Sequence, residues 1–232
     1  MKIIAKIHTP YKEKFGIPRQ SGIAASIISK IVFEPKYRRK EALVGLSGYS
    51  HIWVIWNFSE AERDEFSPTV RPPRLGGNKR VGVFATRSPF RPNPIGLSSL
   101  ELVEIRDTED EGTVLFVKGA DMLDGTPIYD IKPYLPFTDS HPDARGGFAD
   151  EVIDYSLKVN FPDKLLECVA EEYREPLTKI LGEDPRPSYK KECEKEYGML
   201  FADYEIFFVV KDELLTVTKV VFKPKNQIKS KF

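Results

Sequence analysis

The residues best equipped for chemistry in this chain are arginines set beside prolines. Between Pro68 and Gly96 the sequence carries Arg71, Arg74, Lys79, Arg80, Arg87 and Arg91 with six prolines and no Asp or Glu. Over the whole chain 35 basic and 35 acidic residues cancel, so this window is a segregated positive patch, and segregated positive potential attracts anions. Proline fixes its own φ and biases the residue before it toward extended backbone, so Arg-Pro and Asn-Pro steps hold their side chains on stiff loops. Two further loops of this kind are expected at Pro18-Arg19-Gln20 and at Asp184-Pro185-Arg186. One acidic turn, Asp121-Met122-Leu123-Asp124-Gly125, stands beside them in the inventory. Cationic loops with an embedded acid suit a ligand that is both anionic and hydrogen-bonding. Nucleic acid fits, because phosphate contacts from Lys79 and Arg91 need no defined base sequence and Tyr11, Phe15, Phe90 and Tyr189 could stack on unpaired bases. Taken singly, each of those aromatics reads first as packing.

Other chemistries find no support. His8, His51 and His141 lie far apart, and the two cysteines, Cys168 and Cys193, lack C-x-x-C spacing, so neither a metal site nor a disulfide framework is indicated. There is no Walker loop, no G-x-G-x-x-G and no serine elbow, which argues against nucleotide hydrolysis, a Rossmann sheet and a hydrolase triad. The composition, 41% hydrophobic and 30% charged over 232 residues, is that of a soluble globular protein. No apolar run approaches the length of a membrane span, and the short N-terminal Met1–Lys6 segment reads as a strand rather than a signal core. A cytoplasmic protein is expected.

The elements that must position these loops are short strands. Lys2–His8, Ala24–Phe33, Ser50–Phe58, Thr113–Lys118 and Thr126–Tyr134 read as strands, with a helical turn competing for the second. Val81–Ala85 partly alternates and is expected to be a short buried strand leading to Arg87. Leu97–Ile105 fits strand or helix, Arg38–Leu46 a short helix, and the acidic turn Asp107–Gly112 a hairpin. Many short strands between Gly and Pro turns predict a mainly β protein, with a barrel or sandwich up to about Phe137. The composition shifts after Asp139–Gly147. Pro162–Leu181 has helical spacing that Pro176 would break or kink, and Tyr204–Val210 with Leu214–Phe222 makes a closing hairpin. Residues 1–147 and 148–232 are therefore expected to form a β-barrel domain and a small α+β domain.

Several long strings carry a resemblance. R-S-P-F-R-P-N-P-I-G at Arg87–Gly96, V-R-P-P-R-L-G-G-N before it, P-Y-K-E-K-F and P-R-Q upstream, D-G-T-P-I-Y-D-I-K-P-Y downstream and D-P-R-P-x-Y at Asp184–Tyr189 occur in the order seen in the TsaA-like family. The resemblance spans nearly the whole chain. It implies a non-Rossmann β-barrel methyltransferase that uses S-adenosylmethionine and acts, as a homodimer, on tRNA. The implied product is methylated at the exocyclic nitrogen of threonylcarbamoyl-adenosine beside the anticodon. Donor binding is carried by the resemblance onto Pro18, Arg19, Gln20, Ser59, Glu60, Arg87, Leu97, Asp121, Met122, Leu123 and Asp124, with Arg87 on the donor's carboxylate. Arg71, Arg74, Arg91, Arg186 and Tyr189 are assigned to tRNA. The nitrogen to be methylated bears a carbonyl and is a poor nucleophile, so a carboxylate or a bound water should accept its proton. Asp124 or Asp130 is the expected carboxylate, although Asp124-Gly125 also reads as a plain turn. A non-catalytic RNA-binding module and a proline-rich protein-interaction surface are the competing readings.

Overall fold

The computed structural model describes residues 1–61, 65–72, 79–152, 155–186 and 195–224. Arg74 and Tyr189 lie outside them. Six strands close into an antiparallel barrel in the order β1-β2-β7-β6-β3-β8. They are β1 (Ala5–His8), β2 (Ile28–Phe33), β3 (His51–Asn57), β6 (Ile95–Thr108), β7 (Gly112–Lys118) and β8 (Pro127–Pro133). Side chains alternate across a strand, and in β3 Ile52, Val54 and Trp56 take the inside. With Ile7, Ile31, Leu100, Leu115, Val117 and Ile128 they fill the barrel, which is a packed core and not a channel. The ambiguous Leu97–Ile105 segment is strand because Gly96, Ser98 and Leu100 face inward at period two. Its register shifts between Leu102 and Glu104, a bulge that leaves Val103 exposed.

Two local expectations change. Arg38–Leu46 is not an α-helix but part of a run of 3-10 turns, Pro35–Tyr37, Lys40–Leu43 and Leu46–Gly48. Gly45 at φ 85° interrupts it, and the pieces are too short to offset helix nucleation. Val81–Ala85 is strand only at β5 (Val81–Gly82), which pairs with β4 (Thr69–Val70) before a 3-10 turn takes over at Val83–Ala85. That turn buries Val83 and throws Phe84 outward.

The C-terminal part is α+β. A sheet of order β10-β11-β12-β9 is built from β9 (Lys158–Asn160), β10 (Tyr197–Phe201), β11 (Tyr204–Lys211) and β12 (Leu214–Phe222). Two helices, α2 (Asp163–Leu166) and α3 (Glu171–Gly182), follow the short α1 (Pro136–Asp139). The helical stretch breaks between Glu167 and Ala170, whereas Pro176 sits inside α3 with its ring buried. Leu177, Ile180 and Leu181 pack on Phe201, Ile206 and Phe208 in a second core. This core also takes Tyr11, Ala24 and Ile27 from the loop between β1 and β2. Tyr11 packs on Phe201 at 6.0 Å and Phe15 stacks on Phe208 at 6.3 Å, so neither aromatic is presented to a ligand. The β1–β2 loop is thus held by both units, and it carries Pro18-Arg19-Gln20.

One glycine in the barrel is fixed by its neighbour. A Cβ on Gly96 would lie 2.2 Å from Trp56 Cε2, and the indole is enclosed by the barrel. Gly96→Ala is expected to cost about 1–3 kcal/mol through overpacking, read as a lowered Tm.

Candidate functional site

The site gathers at the barrel mouth where β3 ends and β8 begins. Gly22 N–H donates to the Gly119 carbonyl at 2.9 Å. Both glycines have positive φ, and a Cβ on Gly119 would meet Gly22 N at 3.1 Å, so this backbone contact tolerates little beyond hydrogen there. It docks the Pro18–Gly22 loop onto the Gly119–Asp124 segment. Arg87 reaches the same loop, with its guanidinium donating to Gln20 Oε1 at 2.5 Å. Arg87 is exposed, and this partner is a neutral amide, so its other donors can engage an anion. Lys14 donates to the Glu60 carbonyl at 2.7 Å and bridges to its carboxylate at 3.2 Å, which brings the exposed Ser59–Glu60 tip to the same mouth.

Asp121 is the central acid. Ser98, inside the barrel on β6, donates from Oγ to Asp121 Oδ1 at 2.6 Å and accepts from Trp56 Nε1 at 3.0 Å. Burial pushes the Asp121 carboxyl above the usual carboxylate range, against the opposing effects of the Ser98 hydrogen bond and the Arg87 charge. The Asp121 charge, after burial itself, helps raise the Tyr11 phenol. The Tyr11 hydroxyl is buried with no hydrogen-bond partner among the described residues.

Asp124 and Asp130 sit differently. Asp124 accepts from Thr9 N–H at 3.1 Å, pairs with Lys12 at 2.6 Å and lies 3.3 Å from His8 Nδ1. Burial raises its pKa, but the Lys12 and Thr9 hydrogen bonds and nearby charges outweigh that and hold it below the usual range. Its backbone N–H donates to the Tyr11 carbonyl and that of Gly125 to Ile7, so the turn is stitched onto the exit of β1. Asp130 is further along β8, opposite Ile55, where it accepts from Ile131 N–H and bridges Lys132 at 3.3 Å. It lines a groove with Tyr37, Leu43, Leu46 and Tyr49, away from the loops at the mouth.

The remaining expected residues separate into groups. Pro18 is buried, Arg19 donates to the Asp184 carbonyl at 2.8 Å, and Met122 is in the barrel core while Leu123 is half-buried. Leu97 is exposed on the outer face of β6. Arg71 is exposed, and Arg91 is folded back onto the Val83 and Thr86 carbonyls at 3.2 and 2.7 Å. Arg186 is buried, and its guanidinium is clamped by both oxygens of Asp184 at 2.7 and 3.0 Å. An exposed cationic turn was the expectation there. The clamp makes Arg186 part of the packing beneath the Pro18–Gln20 loop. Ser98 and Trp56 were missed by the sequence reading, because inward strand residues look like core. Glycines at 22 and 119 were not singled out either, although glycine is the signal that could have marked a close backbone approach.

A closed antiparallel barrel whose mouth combines a stiff arginine loop with a half-buried carboxylate stands outside the Rossmann class. The chain matches the family model of the tRNA-methyltransferase O N-terminal domain over residues 6–140, and that of the TrmO C-terminal domain over residues 154–223. It belongs to the tRNA-methyltransferase O family. The tRNA (adenine(37)-N6)-methyltransferase of Escherichia coli K12 is 41% identical over 217 residues, covering 90% of this chain and 92% of that protein. A Pseudomonas aeruginosa protein, RcsF, provisionally assigned as an S-adenosylmethionine-dependent methyltransferase, is 38% identical over 211 residues, 88% of this chain and 89% of its own. The crystal structure of TrmO from P. aeruginosa superposes with a TM-score of 0.74 at 32% identity, covering 95% of each chain.

Proposed function

We propose that this protein methylates the exocyclic nitrogen of the adenosine beside the tRNA anticodon, using S-adenosylmethionine. The observation that carries the reading is the meeting of Gln20, Arg87, Ser98 and Asp121 at one barrel mouth, in a chain whose relatives are named for this methylation. The residues fit the donor. Arg87 offers a fork for its carboxylate, and Pro18–Gln20, Ser59, Glu60, Leu97 and the Asp121–Asp124 segment are our further candidates for donor contacts. When bound, S-adenosylmethionine supplies an electrophilic methyl group on a sulfonium.

The protein's own tasks are to orient two partners in line, exclude water and move one proton. Asp121 is our choice of acceptor over Asp124 and Asp130. Asp124 is held ionised and occupied by Lys12, whereas Asp121 has the raised affinity for a proton that a base needs. Ser98 fixes the orientation of its carboxylate and Trp56 fixes Ser98. The acceptor is taken to be threonylcarbamoyl-adenosine, whose nitrogen is acidified by its carbonyl, and the working form a homodimer in the cytoplasm. Arg71, Arg74, Arg91 and Tyr189 are proposed for the tRNA side. Among the described residues no helix is long and apolar enough to cross a membrane.

Calorimetric titration with S-adenosylmethionine tests the donor site. Arg87→Ala is expected to weaken binding about 10- to 100-fold through loss of a charge-assisted pair. Wild-type protein that binds tRNA but no donor would instead favour a non-catalytic RNA-binding module.

A further inference from the structure

Phe84 reads from the sequence as part of a buried strand, yet it is 72% exposed. Phe66, itself 54% exposed, stacks beside it with ring centroids 6.2 Å apart and planes inclined by 26°. Water solvates both rings poorly, so an exposed pair of this size calls for a partner. Its presentation is built. The β4–β5 pairing brings the chain ahead of Thr69 back against the turn after Gly82, and Val83 N–H donates to the Pro68 carbonyl at 2.9 Å. Val83 is anchored in the interior, and Thr86 closes the turn by donating from both N–H and Oγ to the Val83 carbonyl. Arg91 spans the same turn and sets its guanidinium 5.6 Å from the Phe84 ring centroid.

The surroundings are cationic. Arg71, Lys79 and Arg80 are exposed on the same hairpin, and from Pro68 to Gly96 there is no acid. A second copy docking here about a two-fold axis would press this patch against itself and oppose its own cations. A nucleic acid meets both features at once, phosphates on the cations and base faces on the rings. Arg87, at the donor site, is three residues from Phe84, at most about 11 Å of chain.

We propose that Phe84 and Phe66, flanked by Arg91, form a stacking platform for unpaired anticodon-loop bases that flank the target adenosine. The proposal rests on the tRNA methyltransferase reading above and adds which part of the substrate this surface holds. Base stacking on aromatic faces tolerates any base identity, so the platform supplies register rather than sequence readout.

The test measures tRNA affinity, donor affinity and oligomeric mass in wild type, Phe84→Ala, Phe66→Ala, Phe84→Trp and Arg80→Ala. Phe84 is exposed, so its replacement leaves the fold intact. Phe84→Ala should weaken tRNA binding about tenfold or more with an unchanged salt slope, whereas Phe84→Trp should retain affinity. Arg80→Ala should instead reduce the salt slope by about one. Donor affinity and mass should not move in any of these variants. Unchanged tRNA affinity in both phenylalanine-to-alanine variants overturns the platform. A loss of mass in step with affinity also overturns it, by assigning the face to contacts between copies. Wild-type protein that binds tRNA through these rings yet neither binds nor uses the donor would sink the methyltransferase reading and leave the stacking surface standing.

Discussion

Asp121→Asn is expected to lower methyl transfer about 10²- to 10⁴-fold at saturating donor, the range for removing a positioned acid–base group, and at the same time to raise the Tm at neutral pH. The two effects share one cause. Burial lifts the Asp121 pKa above its ordinary value, so the folded protein binds this proton more tightly than the unfolded chain does. Its contribution to stability is therefore complete below the unfolded pKa and is lost as pH rises through the folded pKa. Once ionised, the carboxylate serves proton abstraction and, being buried, opposes folding. Asparagine keeps the shape and removes the charge. The gain in Tm should accordingly be seen at neutral pH and fade in acid, where wild-type Asp121 is itself neutral. Wild-type kcat/KM should rise with pH across a limb lying above the usual carboxylate range, and that limb should vanish in the variant. An acid limb that survives in Asp121→Asn, or an equal rate loss in Asp130→Asn, would count against this assignment.

The second large effect is expected from Asp184→Ala, a loss of about 3–5 kcal/mol in unfolding free energy because Arg186 would be left charged and unpaired in the interior. Asp184 is 2% exposed and Arg186 7%. The Tyr155 hydroxyl also donates to Asp184, at 3.0 Å. Asp184 has φ 53°, a region that Asp and Asn enter more readily than Ala. Asp184→Ala with Arg186→Met should recover a large part of the loss, since replacing both members of a buried pair by apolar groups is often near neutral. The Asp184 carbonyl accepts from Arg19, so donor binding should weaken with Asp184→Ala as the Pro18–Gln20 loop loosens. A phosphate-binding Arg186 would behave otherwise. Arg186→Met would then flatten the salt dependence of tRNA binding and leave the Tm unmoved.

The alternating and β-branched pattern of the sequence was enough to place most barrel strands. Ser50–Phe58, a nearly continuous run of β-branched and aromatic residues, became β3, and Thr113–Lys118 became β7. The closing hairpin β11–β12 was legible for the same reason. The acid-free arginine window also announced a stiff cationic site, since Pro acts on the backbone locally. Pairing and burial are non-local, and there the sequence was silent or misleading. Tyr11 and Phe15 looked like stacking residues but fill the second core, and Arg186 looked solvated but is enclosed with Asp184. Phe84 looked buried and is exposed, because a 3-10 turn replaced the expected strand. Two carboxylates six residues apart, Asp124 and Asp130, gave no hint that one is tied to Lys12 and the other lies along a different groove. The register of the β6–β7 pairing, with Glu101 opposite Lys118, carries Ser98 of β6 to Asp121 just beyond β7. A residue's type and local pattern are written in the chain, but whether its charge is solvated, paired or left to work depends on neighbours that only the tertiary fold supplies.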